Sequence, residues 1–165
     1  MGSKLPLDLV NPQNIFQLTK ETRHLFLPVC QKITHSPVDW DHIIAYNYAK
    51  SRSILKGNNV NWKFVEGTHL LGNFAGIDSR ANRVLQDKPP SEKFKTPGGY
   101  LDSSFIITEH GLRQTEIEEC LLIEALLSKR KVDEAGIKLK EFAQACTLKI
   151  WSEVLTVVGN PPNKV

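Results

Sequence analysis

The feature that most constrains the fold is a long predicted helix near the C terminus that is apolar on two separate faces. The segment from Asp133 to Val158 begins at a helix-capping residue and ends at a Gly-Asn-Pro-Pro sequence. A surface helix buries one face, so this helix is expected to be covered by several neighbours or by a partner. The first stripe follows helical spacing and contains Leu139, Phe142, Ala143, Cys146, Ile150, Val154 and Val157. The second stripe contains Leu148, Trp151, Leu155 and Val158.

A second strongly helical segment precedes this helix and predicts a helical hairpin over residues 112–158. Residues 112–131 are apolar nearly all round between Cys120 and Leu127, and three basic residues follow at the negative pole of the helix dipole. The short turn at 131–133 predicts an antiparallel pair of helices.

A chain of this size has difficulty enclosing two such helices, so we expect an interface with a protein partner or a second copy of the chain. The expected interface residues are Leu148, Trp151, Leu155, Val158, Leu122 and Leu126. The alternative is that the last helix is the central helix of the bundle, with its second stripe covered by helices of the same chain.

Three further helices are predicted upstream from capping residues and apolar periodicity. They span residues 11–33, 36–57 and 65–86, and residues 60–65 fit either a short strand or the entry to the third of them. The proline- and glycine-rich residues 87–99 predict a long loop, and residues 100–107 fit a strand or a helical turn. The sequence therefore predicts a single all-α domain over 1–165. It would be an irregular bundle of about five helices that ends in a long antiparallel hairpin, with room for one short β element.

Composition and cysteine usage are typical of a globular protein in a reducing compartment. The 165 residues are 41% hydrophobic and 24% charged, which suits one folded domain. Cys30, Cys120 and Cys146 are odd in number and form no CxxC pair, which favours reduced thiols. No signal peptide is recognised, and no apolar run approaches the roughly 18 residues of a membrane span. We therefore expect a cytoplasmic protein without membrane association.

Positive charge is concentrated in the first two thirds of the chain. Residues 1–100 carry a net charge of +5 and residues 101–165 carry −2. The basic residues are interleaved with Tyr46, Tyr48 and Trp62, which favours nucleic acid because cations bind phosphates and aromatic rings stack unpaired bases. The alternative is an ordinary solvated helix face. The candidate nucleic-acid-binding residues are Lys50, Arg52, Lys56, Lys63, Arg80 and Arg83.

On the predicted third helix, two polar residues share a side with the arginines of this set. His69 and Asn73 lie opposite the apolar stripe of that helix, beside Arg80 and Arg83. The sequence therefore predicts one continuous basic face.

Patterns for metal binding are weak. Two Glu-x-x-His pairs, Glu21 with His24 and Glu66 with His69, have the spacing found in di-iron carboxylate bundles. Both histidines fall away from the apolar face of their predicted helices, whereas a bundle metal site needs inward ligands. We therefore expect no metal and no cofactor.

Patterns for catalysis are equally weak. Asp39, Asp41 and His42 are close in sequence, but Asp39 fits a helix cap and the other two fit exposed positions in a first turn. No nucleophile has a recognisable base, so we expect no catalytic residues and no enzyme.

The sequence therefore predicts a non-catalytic helical subunit or adaptor of a larger intracellular assembly. It would dock through its C-terminal hairpin and contact RNA or DNA through its basic surface. A stand-alone RNA- or DNA-binding helical domain is the second hypothesis, and a helical metalloenzyme is a distant third.

Overall fold

The computed structural model of the chain describes residues 38–95 and 112–159, and these residues are mostly helical. Helices make up 69% of them, beside one two-stranded sheet, so the prediction of a helical fold is confirmed in its broad class. Within these ranges the α-helices are α1 (Tyr46–Arg52), α2 (Trp62–Gly67), α3 (Ser79–Leu85), α4 (Pro90–Lys93), α5 (Gln114–Ser128) and α6 (Val132–Gly159). The strands are β1 (Val38–His42) and β2 (Phe74–Asp78), and 3-10 turns cover Lys56–Asn58 and Leu71–Asn73.

Several sequence predictions lie outside the described residues. These are the first helix at 11–33, the ambiguous residues 100–107, Cys30 and the Glu21–His24 pair. Among the helices of the described ranges, none combines the length and the hydropathy that a bilayer crossing requires.

The two strands pair in an antiparallel sheet that replaces parts of two predicted helices. Trp40 lies opposite Gly76 in this pairing. The prediction of a helix from residue 36 is wrong, because Asp39 belongs to β1 and the helix begins only at Tyr46. The Asp39 carboxylate caps no helix there and instead accepts a hydrogen bond from Asn82 Nδ2 at 3.2 Å.

The predicted third helix at 65–86 is also wrong, because four elements divide the segment. Helix α2 ends at Gly67, a 3-10 turn and β2 follow, and α3 begins at Ser79. The apolar residues keep helical spacing, but every residue from 71 to 77 is buried. One face of a surface helix cannot bury seven consecutive residues, whereas a turn and a strand covered on both sides can.

Gly72 determines how this segment packs on α6. Its backbone N–H donates to Thr147 Oγ1 at 3.0 Å, and that hydroxyl donates to the Ala143 carbonyl oxygen at 2.7 Å. A Cβ at residue 72 would overlap the Ala143 carbonyl oxygen and would lie 2.7 Å from Thr147 N. Only glycine permits this approach of two backbones. The contact explains why a glycine stands inside an otherwise apolar segment.

Helices α5 and α6 form an antiparallel hairpin, as the sequence predicts. A turn at 129–131 joins them, and Lys149 Nζ late in α6 lies 2.8 Å from Glu116 Oε2 at the start of α5. The same carboxylate accepts from Arg113 N at 2.7 Å and thereby caps α5. Cys120 and Cys146 are buried free thiols, and burial raises the pKa of Cys146 to about 12. Both thiols therefore behave as small apolar core residues.

Helix α6 packs into two clusters of its own chain. Its first stripe as far as Cys146 lies in the main core with α5, and Ile150, Trp151 and Val154 pack against Leu71, Phe74 and Trp40. Trp151 is only 7% exposed, so the expectation that it anchors an interface at the surface is wrong. At Trp151 the structure therefore agrees with the alternative hypothesis, in which α6 is a central helix covered by residues of its own chain.

A buried ion pair holds the predicted long loop, which contains the short helix α4. Lys93 Nζ lies 2.7 Å from Asp41 Oδ2 and donates to the His42 carbonyl oxygen at 2.6 Å. Asp41 is buried, so the expectation of an exposed first-turn residue is wrong. Burial lowers the pKa of Lys93 from its usual value, and the Asp41 carboxylate opposes that shift. The pair ties α4 to β1.

The Gly72→Ala substitution is expected to lower the free energy of unfolding by about 3 kcal/mol or more, because the new Cβ forces two packed backbones apart. Chemical denaturation followed by circular dichroism measures the change. Gly136→Ala is the matched control, since its Cβ would meet Phe64 Cδ2 at an ordinary 3.4 Å. That variant is expected to change stability by less than about 1 kcal/mol. Equal stabilities for the two variants would contradict the proposed packing.

The Lys93→Met substitution is expected to lower the free energy of unfolding by about 3–5 kcal/mol, because it removes the ammonium group from the buried Asp41 carboxylate. The double variant Asp41→Leu/Lys93→Met is expected to recover most of that loss, since no buried charge remains. Lys95→Met, at an exposed neighbouring position, is the control and should be nearly neutral. A Lys93→Met variant as stable as the control would show that the ion pair is not a structural tie.

Candidate nucleic-acid interface

A closed loop between α1 and α2 leads to Trp62, one of the aromatic residues that lie among the candidate basic residues. Ile54 and Val60 form an isolated antiparallel bridge, and Leu55 N donates to the Asn59 carbonyl oxygen at 2.6 Å. Gly57 lies at the tip with a φ of 77°, a left-handed conformation that glycine adopts without strain. The loop therefore has a defined path from α1 to α2.

The two aromatic residues of α2, Trp62 and Phe64, lie on opposite sides of the helix. The Asn61 side chain caps the helix by accepting from Phe64 N at 3.1 Å. Phe64 and Val65 enter the core, which leaves Trp62 and Lys63 on the outside. Trp62 is 53% exposed, an unusual position for so large an apolar ring.

Three lysines surround or flank this exposed indole. Lys50 Nζ lies 5.9 Å from the centre of the Trp62 ring, within cation–π distance. Lys63 follows Trp62 in α2, and Lys56 lies in the loop that precedes it. None of the three forms an ion pair with another described residue. We call Lys50, Lys56, Trp62 and Lys63 the Trp62 surface.

The predicted arginines lie elsewhere. Arg52 lies with its guanidinium carbon 5.7 Å from the Tyr48 ring centre and lines a shallow cleft with Asp87. Arg83 lines a neighbouring cleft that shares Asp87, and its Nε donates to the Ser79 carbonyl oxygen at 3.2 Å. Arg80 is exposed on the same helix, α3. The six predicted cations are therefore all exposed, but they are divided between two regions.

His69 and Asn73, which the sequence analysis placed beside the arginines of α3, are not part of a basic face. Asn73 is fully buried, where its side chain accepts from Ile44 N at 2.9 Å and donates to the Thr68 carbonyl oxygen at 2.8 Å. His69 is partly buried and stacks on Tyr46, with ring centres 5.1 Å apart. The prediction of one continuous basic helix face is wrong, because that helix is broken at residues 68–78.

The predicted interface residues of the hairpin have different environments. Leu122 is 45% exposed on α5, and Leu148 is exposed on α6. Leu126 is partly buried against the main core, and Trp151 is buried, as described above. The side chains of Leu155 and Val158 lie outside the described part of the structure.

A groove between α2 and α6 adds a feature that the sequence analysis missed. Asn61 Nδ2 donates to Asp133 Oδ1 at 3.0 Å where the two helices begin, and Gly136 lies against Phe64 further along. The helices therefore run side by side in the same direction. The groove beside them has a volume of about 530 Å³, which is within the range of small-ligand sites.

The walls of the groove are apolar and its rim is charged. The apolar lining residues are Phe64, Leu70, Val132 and Ile137, and the charged ones are Lys63, Glu66, Asp133 and Lys140. Gly67 and Gly136 also line it, and a Cβ on either glycine would meet a side chain of the facing helix, Leu139 at 3.1 Å and Phe64 at 3.4 Å. The glycine at 136, inside a predicted helix, could have indicated the close approach of α2, but it gives no signal of the groove itself.

No protein-family model, characterised protein or solved structure matches this chain. Among the residues the structure describes, no group of three or more histidine, cysteine, aspartate or glutamate side chains is placed to hold a metal ion.

Proposed function

We propose that this protein is a non-catalytic binding protein that holds single-stranded nucleic acid on the Trp62 surface. The observation that carries the proposal is the exposed indole of Trp62 with the Lys50 ammonium over its ring. An exposed aromatic ring stacks on an unpaired base, and ammonium groups beside it bind the flanking phosphates. This combination suits a single strand, whose bases are free to leave the stack.

The charge state of the surface supports the same ligand. Lys50, Lys56 and Lys63 are exposed and make no ion pair with a described carboxylate. Cations that are not neutralised within the protein release counterions when they bind phosphates, which favours association at low salt. In contrast, the exposed lysines Lys131 and Lys138 pair with glutamates one turn away on α6.

Trp62→Ala is expected to weaken binding to a 12-nucleotide single-stranded RNA or DNA by about 5- to 150-fold, because base stacking on an aromatic ring contributes about 1–3 kcal/mol. The double variant Lys50→Ala/Lys63→Ala is expected to reduce the slope of log K against log salt by about 1.4, or about 0.7 for each phosphate contact. Fluorescence anisotropy across a salt series measures both quantities.

Two matched variants control for general effects of substitution. Val84→Ala removes another exposed apolar side chain, and Lys138→Ala removes a lysine that is already paired with Glu141. Neither is expected to change affinity or salt slope. If Trp62→Ala and the double lysine variant bind like these controls, the proposal is wrong.

A second candidate function is docking of the hairpin onto a protein partner, which would make the chain a subunit of a larger intracellular assembly. The exposed leucines Leu121 and Leu122 on α5 and Leu148 on α6 favour it. Exposed apolar side chains mark an interface where they form one contiguous patch, and this second function requires that of these leucines. With Trp151 inside the core, such an interface would depend on these leucines alone.

For this second function, Leu122→Glu is expected to abolish any self-association, because it adds a charge to the apolar patch. Light scattering after size-exclusion chromatography measures the mass of the wild-type chain and of the variant. Val84→Glu, at an exposed position on α3, is the control. A wild-type chain that stays monomeric at high concentration would exclude docking onto a second copy.

A further inference from the structure

The groove between α2 and α6 carries charged groups that no other described residue engages. Lys63, Glu66 and Lys140 line the groove and make no ion pair or side-chain hydrogen bond within residues 38–95 and 112–159. Ile137, on the same lining, is 60% exposed. Apolar walls with a few uncommitted polar groups at the rim are the usual composition of a small-ligand site.

The groove is continuous with the Trp62 surface through Lys63. Trp62 and Lys63 are consecutive residues of α2, and Lys63 is a member of the groove lining. A strand that stacks one base on Trp62 therefore passes the Lys63 ammonium group at the edge of the groove. The neighbouring nucleotide then lies within reach of the apolar walls.

We infer that the groove receives one unpaired nucleobase, and that Glu66 selects a base that bears an amino group. This inference rests on the proposed binding of single-stranded nucleic acid. The base would lie against Leu70 and Ile137, with its phosphates near Lys63 and Lys140.

The selectivity follows from the chemistry of a carboxylate. Ionised Glu66 only accepts hydrogen bonds, so it pairs with the exocyclic amino group of cytosine, adenine or guanine. Uracil has no amino group, and its one donor on this edge, N3–H, lies between two carbonyl oxygens that repel a carboxylate. A glutamine at residue 66 both donates and accepts, so it would accommodate either kind of base.

The experiment compares binding of 12-nucleotide oligocytidine and oligouridine RNA to the full chain. Wild type is expected to bind oligocytidine about tenfold more tightly, the difference expected for one hydrogen bond to a charged group. Glu66→Gln is expected to remove this preference, and Ile137→Ala to weaken oligocytidine more than oligouridine. Trp62→Ala should weaken both oligonucleotides while keeping their ratio.

Glu118→Gln, an exposed carboxylate on α5, is the control and should leave the ratio unchanged. A second readout is the Ile137 methyl resonance, which should shift with oligocytidine. Binding that depends on Trp62, with no base preference and no shift at Ile137, overturns the groove site and leaves the proposed function standing. Absence of binding to either oligonucleotide overturns both.

Discussion

The close contact between Gly72 and the backbone of α6 is the constraint on which the rest of the described structure depends. The Thr147 hydroxyl bridges the two segments, since it accepts from Gly72 N and donates to the Ala143 carbonyl oxygen. This contact brings the 3-10 turn at Leu71–Asn73 onto α6, and β2 begins directly after it. It also places Leu71 and neighbouring residues over Trp151. Trp151 of the second stripe is thereby covered within the chain, whereas Leu148 of the same stripe stays exposed.

The central position of α6 removes Trp151 from the surface and leaves the proposed binding surface on α2. With Trp151 enclosed, the exposed tryptophan is Trp62, on a short helix that runs beside the start of α6. The ion pair between Lys93 and Asp41 holds α4 on the sheet. Two interhelical contacts, at Asn61 with Asp133 and at Phe64 with Gly136, fix α2. The proposed binding surface on α2 is therefore held by contacts with α6, as precise recognition requires.

The sequence predicts the parts of the fold that depend on local periodicity. Both hairpin helices follow from this spacing, and so does the buried first stripe of the last helix from Leu139 to Val154. The sheet could not be predicted in this way, because the apolar residues between 70 and 77 keep helical spacing and only pairing with β1 makes Phe74–Asp78 a strand. Burial of Asp41 by Lys93, 52 residues away, leaves no local signal either. The lysines of the candidate site were predicted, but their separation from Arg80 and Arg83 depends on how α1 and α2 pack relative to α3.

The most direct test of this account is ¹⁹F NMR of the chain labelled with fluorotryptophan, with signals assigned by Trp→Phe variants. The account predicts a large solvent isotope shift between H₂O and D₂O for Trp62 and almost none for Trp151 in the monomer. It also predicts that single-stranded RNA moves the Trp62 signal and leaves that of Trp151 in place. A solvent-accessible Trp151, or a Trp62 signal indifferent to RNA, would contradict the account.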